Sequence, residues 1–72
     1  MIQVTLKEAI ETYQLTYGER LTYQALSERS GIAVETLQSL ATRPSYNTTL
    51  STIEKLCIAL NCEPGELLQL ST

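Results

Sequence analysis

Apolar residues recur along this chain at steps of three and four, separated by short polar breaks, and the pattern predicts helices almost throughout. Leu6, Ile10, Tyr13 and Tyr17 fall on one face of a first helix, which Gly18 ends. Ahead of it, Thr5-Leu6-Lys7-Glu8 has the form of a capping box, in which the Thr5 hydroxyl and the Glu8 carboxylate serve orphan backbone N–H groups. Thr22 caps a second helix, Tyr23 to Ser30, with Ala25, Leu26 and Arg29 following at three- and four-residue steps. Gly31 then allows a sharp turn, because it adopts a positive φ without a side-chain clash. A third helix runs from Val34 to about Ala41 with Leu37 and Leu40 inward.

Pro44 stops that helix, and Arg43-Pro44-Ser45-Tyr46-Asn47-Thr48 reads as a polar loop. Thr49 caps a fourth helix, Leu50 to Leu60, whose Leu50, Ile53, Leu56, Cys57 and Leu60 form one apolar stripe. Asn61 is its left-handed terminator. Glu63-Pro64 places a proline at the first position of a short fifth helix that reaches Leu68. Ile2-Gln3-Val4 alternates like a very short strand, and Leu68-Gln69-Leu70-Ser71 offers a partner for it. The expected fold class is all-α: five helices around one core, with short terminal strands.

Seventy-two residues make one small domain, 1–72. The composition, 43% apolar and 18% charged, is that of a globular chain rather than a disordered one. The longest apolar run, Leu56 to Leu60, is far short of the ~20 residues a membrane helix requires, so no membrane role is expected. No signal peptide is visible at the N-terminus, and two Cys are too few for a secreted disulfide scaffold, so the expected location is the cytoplasm. His, Asp and Trp are all absent. With no nucleophile–base pair and no phosphate loop either, neither enzymatic activity nor a cofactor is expected. Cys57 and Cys62 have no third or fourth ligand to complete a metal site, and read as small buried apolar groups. Tyr13 and Tyr17 read as packing groups, and Arg20, Arg29 and Lys55 as solvated charge.

Charge argues in an unexpected direction. Five Lys and Arg stand against eight Glu, a net charge of −3. Residues 1–36 hold three basic and five acidic groups, and residues 37–72 two and three, so neither half carries the basic footprint usual for nucleic-acid binding. A nucleic-acid function must therefore come from local geometry.

Such geometry is present in residues 22–41. Leu26, Ile32, Leu37 and Leu40 are spaced to meet in one cluster across the Gly31 turn, which fixes two helices at a steep angle and leaves the outer face of the second free. That is the helix-turn-helix arrangement, whose second helix enters a DNA major groove. Leu21-Thr22, Leu26, Gly31-Ile32, Thr36-Leu37 and Leu40, followed by Thr52-Ile53-Glu54-Lys55-Leu56-Cys57 and Ala59 to Leu68, resemble the lambda-repressor-like, Cro- or XRE-type helix-turn-helix family of bacterial and phage regulators. The resemblance covers residues 4–68 and is nearest to very small members with a Cys-x-Pro-Gly-type turn.

The resemblance implies a DNA-binding transcriptional regulator that reads double-stranded DNA as a homodimer. It places Thr22 and Tyr23 on a phosphate, Tyr23 standing where Gln is usual. It places Val34, Glu35, Gln38 and Ser39 on bases, and Arg43, Ser45, Asn47 and Thr48 along the backbone. Val34 suits a thymine methyl, Gln38 adenine and Glu35 the amino group of cytosine. Two departures stand out: Ala33 occupies the cap position where Ser or Thr is usual, and Glu35 repels phosphate. Ala41 stands where the family usually has Glu. Tyr46 is open to two roles, as a lid over the core or as a contact with DNA or a partner. The acidic balance, Ala33 and Glu35 support an alternative: a protein-interaction module of the same fold, antitoxin- or anti-repressor-like, with weak or no DNA binding.

Overall fold

The computed structural model describes residues 1–43 and 47–70. Pro44, Ser45, Tyr46 and Ser71 lie outside the described residues, and with them the readings of Pro44 as helix stop, Ser45 as a backbone contact, Tyr46 as lid or contact and Ser71 as strand. The elements are β1 (Ile2–Val4), α1 (Leu6–Tyr17), α2 (Tyr23–Ser30), α3 (Val34–Thr42), α4 (Leu50–Leu60), α5 (Pro64–Leu67) and β2 (Leu68–Leu70). The fold is mostly helical, as the periodicity predicts, with a small terminal sheet.

Six leucines are fully buried: Leu6, Leu26, Leu37, Leu40, Leu56 and Leu67. They come from all five helices, so each helix is held by at least one side chain at the common centre. Val4, Ala9, Ile10, Leu21, Ile32, Ala41, Ile53 and Leu60 complete the core, and no polar side chain is buried among the described residues. Fully burying a leucine contributes about 1.5–3 kcal/mol relative to exposure, and this core has no buried polar group to offset it. α2 packs on both α3 and α4, while α1 closes the other side against α3, α4 and α5.

The helix ends follow the local chemistry with one exception. Thr22 Oγ1 accepts from the Ala25 N–H at 3.1 Å and Thr49 Oγ1 from the Thr52 N–H at 3.2 Å. Gly18, Gly31 and Asn61 take left-handed conformations at the ends of α1, α2 and α4, with φ of 65°, 76° and 52°. Thr5 does not form the expected capping box with Glu8. Its backbone, at φ −99° and ψ 58°, lacks the extended form of a capping residue. Its N–H and hydroxyl instead donate to the Leu67 carbonyl at 2.7 and 3.0 Å. Thr5 therefore joins the two ends of the chain. A box-type contact forms on α5, where the Glu66 carboxylate accepts from the Glu63 N–H at 2.9 Å.

Three further expectations need correction. α5 stops at Leu67, because Leu68 turns extended to pair with Val4. Leu50 is not on the buried stripe of α4; it lies in the first turn and is 84% exposed. Tyr17 is exposed rather than inward, though its ring still packs on Tyr13 with centroids 4.6 Å apart, and its hydroxyl accepts from Asn61 Nδ2 at 2.7 Å. α3 runs one residue past Ala41, within the usual latitude of a helix end.

β1 and β2 pair antiparallel within one chain, with Ile2 opposite Leu70, Gln3 opposite Gln69 and Val4 opposite Leu68. Val4 is buried in the core, whereas Ile2 and Leu70 remain exposed. Among the described residues no helix is long and apolar enough to cross a membrane, and no group of three or more Cys and Glu is placed to hold a metal.

Candidate nucleic-acid interface

The α2–α3 pair is built by its inward face. Leu26 on α2, Ile32 in the turn, and Leu37 and Leu40 on α3 join one buried cluster, as the spacing predicts. The turn is then pinned by two serines that the apolar pattern does not reveal. Ser27 Oγ donates to the Ile32 carbonyl. Ser30 Oγ donates to the Leu26 carbonyl at 2.7 Å and accepts from the Ile32 N–H at 3.2 Å. The two bonds to Ile32 satisfy backbone groups that the reversal at Gly31 takes out of the helical ladder, while the bond to Leu26 anchors Ser30 on α2. Their only sequence signal is a serine four residues before, and another beside, the turn glycine.

Burying Leu37, Leu40 and Ala41 turns the opposite side of α3 outward. Glu35 and Gln38, three apart, are exposed there, and Val34 and Ser39 are half-buried at the margins. Thr42 extends this face by a turn, but its hydroxyl donates to the Gln38 carbonyl at 2.8 Å. Ala33 has the extended backbone of a capping residue, φ −61° and ψ 145°, without a side chain to accept a bond. Glu35 in the first turn partly compensates, since its negative charge faces the positive end of the helix dipole. It thus has a structural role independent of any base.

The remaining predicted positions flank this face. Thr22 is exposed at the start of α2, and Tyr23 is half-buried as its first residue. Arg43 is exposed where α3 ends, its N–H donating to the Ser39 carbonyl at 2.9 Å. Asn47 is exposed and Thr48 half-buried on the approach to α4. Ser45 lies outside the described residues.

Arg29 departs from its reading as solvated charge. Its guanidinium meets the Glu19 carboxylate at 3.1 Å and the Tyr13 hydroxyl, and lies over the Tyr13 ring at 5.4 Å from the centroid. Tyr13 in turn donates to Glu19 at 2.9 Å. The hydrogen bonds from Arg29 and then Tyr13 hold the Glu19 carboxyl below its ordinary range, and Arg29 is raised by the same contacts. This cluster ties the end of α1 to α2, and it partners one of the five basic side chains. Residues 13, 19 and 29 are too far apart in the chain for periodicity to join them.

Cys57 and Cys62 are half-buried rather than buried. The Cys62 N–H donates to the Cys57 carbonyl at 2.9 Å, the six-to-one bond of a Schellman-type helix end, and the two thiols supply the apolar contact that accompanies it. Burial first, then the neighbouring Cys57, pushes the Cys62 thiol up to about 11. That is the behaviour of a packing group.

Comparison with known proteins agrees with this arrangement. A family model described as the Cro/C1-type HTH DNA-binding domain matches residues 19–72, from the loop before α2 to the end of the chain. The chain is 38% identical over 50 residues to an uncharacterized HTH-type transcriptional regulator, YozG, of Bacillus subtilis (strain 168). That match covers 69% of this chain and 60% of the relative's length. No solved structure matches. With its buried α2–α3 cluster, its pinned turn and a match over three-quarters of its length, the chain belongs to the Cro/C1-type helix-turn-helix DNA-binding domain family.

Proposed function

We propose that this chain is a sequence-specific, DNA-binding transcriptional regulator that inserts α3 into the major groove. In this reading residues 1–72 form one helix-turn-helix domain, acting in the cytoplasm as a homodimer, with no catalytic step and no cofactor. The observation that carries it is the exposed Glu35–Gln38 face of α3, held rigidly from behind by Leu37 and Leu40. Gln38 has the paired acceptor and donor that match adenine, Glu35 accepts from cytosine, and Val34 offers a methyl surface to thymine. Ser39 lies at the same groove wall. Thr22 and Tyr23 on one side, and Arg43, Ser45, Asn47 and Thr48 on the other, grip backbone phosphates and set the register.

A second reading has support in the charge. Net charge −3 and a carboxylate at the centre of the outward face suit a basic protein partner better than a polyanion. In that case the fold is kept as an interaction module.

Selection from a random duplex library at low salt separates the two. An enriched motif whose binding falls with Gln38→Ala supports the regulator. No enrichment supports the interaction module, and a motif indifferent to both Gln38→Ala and Glu35→Lys shows that α3 does not read the groove through these residues.

A further inference from the structure

Lys7 on α1 and Arg20 before α2 are exposed and enter no salt bridge or side-chain hydrogen bond among the described residues. They stand 13 positions apart in sequence, yet both line one surface depression of about 400 Å³, together with Thr22 and Tyr23 at the start of α2. Its floor includes Ile10 and Leu21, which are 8% and 4% exposed. An apolar floor keeps water from one side of the two cations and strengthens their field over the opening.

The loop holding Arg20 in place is fixed by Gln14, whose side-chain oxygen accepts from the Leu21 N–H at 2.9 Å. Thr22 uses its oxygen as acceptor for the Ala25 N–H, which leaves its hydroxyl proton to donate outward. α2 adds the positive end of its dipole at the same place. Two cations, two hydroxyl-bearing side chains and a helix start thus converge on one opening. Glu11 is the one carboxylate in its wall.

We infer that this depression is a phosphate grip for the DNA backbone, in which Lys7 and Arg20 hold a phosphodiester beside the one reached by α2. The inference rests on the DNA-binding reading and extends it to α1, which lies before the stretch matched by the family model. It also explains how an acidic chain approaches a polyanion: two of its five cations meet at the start of α2, while Arg29 is engaged by Glu19.

Salt titration of DNA binding by fluorescence anisotropy tests it, on the selected duplex and on a scrambled one. Lys7→Gln and Arg20→Gln are each expected to lower the slope of log affinity against log salt by about 0.9, equally on both duplexes. Each variant's deficit against wild type then shrinks roughly threefold to fourfold between 50 and 200 mM salt. Glu11→Gln is expected to raise affinity on both duplexes, an outcome misfolding cannot mimic. Lys55→Gln, which removes a cation outside the depression, is expected to leave the slope near wild type. Wild-type binding with slopes unchanged by Lys7→Gln and Arg20→Gln, or no gain from Glu11→Gln, overturns the grip and leaves the regulator standing. An equal fall for Lys55→Gln reduces the effect to net charge and also overturns it. A wild-type protein that binds neither duplex overturns the regulator and the grip together.

Discussion

Arg29 on α2 and Glu19 in the preceding loop lie 3.1 Å apart, with the Tyr13 hydroxyl bonded to both. The ionised carboxylate is the form this arrangement favours, so the folded-state titration of Glu19 is displaced downward from its unfolded value. The sign of the linkage follows. The contribution is present above the unfolded Glu range, and it is lost as pH falls through the lower folded value. A carboxyl-detected NMR titration is expected to place the Glu19 midpoint below the ordinary glutamate range in wild type, and to return it upward in Arg29→Gln. An unchanged midpoint in that variant shows that the pair does not persist in solution. The same substitution is expected to leave the salt slope of DNA binding unaltered, because the charge it removes is already partnered.

The recognition pair depends on its turn. Gly31 sits at φ 76°, and a Cβ added there meets nothing within 4 Å. Gly31→Ala therefore measures left-handed backbone strain free of any clash, about 1–2 kcal/mol by urea unfolding. Gly31→Asn is expected to lose less, since Asn tolerates this conformation. Ser27→Ala removes the donor to the Ile32 carbonyl, for an expected loss of about 0.5–1.5 kcal/mol. If Gly31→Ala is neutral, the turn in solution differs from the one described.

A gain is expected at the next residue but one. Ala33 already holds the extended backbone of a helix cap and lacks only an acceptor. Ala33→Ser is expected to stabilise by about 0.5–2 kcal/mol, and Ala33→Val, which brings no acceptor, to produce no comparable gain. Equal effects from the two would show that α3 begins elsewhere.

Most of the core was readable because burial follows helical spacing. Leu26, Leu37, Leu40, Ile53, Leu56 and Leu60 fall where steps of three and four place them, and all are buried. The outward face of α3 follows by subtraction, so Glu35 and Gln38 were legible as exposed positions. What escaped depends on which element lies opposite. Leu50 continues the stripe of α4 but precedes the point at which that helix meets the core. Thr5 has a capping sequence, yet Leu67, far along the chain, claims its N–H and hydroxyl. The same limit hid the Arg29–Glu19–Tyr13 cluster and the convergence of Lys7 with Arg20, since periodicity reports one helix at a time.

Cys62 provides a test of packing against reactivity. With its thiol raised to about 11, little thiolate exists near neutral pH, and alkylation requires the thiolate. Mass spectrometry of iodoacetamide-treated native protein is expected to show slow labelling of Cys62 at pH 8, accelerating as pH approaches the folded value. The linkage has the matching sign. The unfolded thiol loses its proton first, so stability declines as pH rises from the unfolded value, near 9, toward about 11. Cys62→Ser is expected to remove part of that decline. Rapid labelling at pH 8 would place the thiol outside the helix-end contact.

The last prediction concerns the proposed homodimer and the terminal sheet. Ile2 and Leu70 face each other across the strand register, and they are 62% and 68% exposed, while Val4 on the same strand is 6% exposed. The inner end of the ribbon is therefore covered by its own core and the outer end is bare. A two-stranded ribbon also presents unpaired backbone groups along its edges, which a second copy satisfies by adding its own strand. Pairing there would cover Ile2 and Leu70 and contribute about 25 cal/mol for each Å² of apolar surface removed from water. Sedimentation equilibrium at micromolar concentration is expected to give the mass of two chains for wild type and one for Ile2→Lys, which places a charge in the bare patch without touching Val4. The thermal midpoint of wild type is expected to rise with concentration, and that of Ile2→Lys to stay constant. A wild-type mass of one chain rejects the dimer. A two-chain mass that survives Ile2→Lys moves its interface away from the termini, toward the outer faces of α4 or α5.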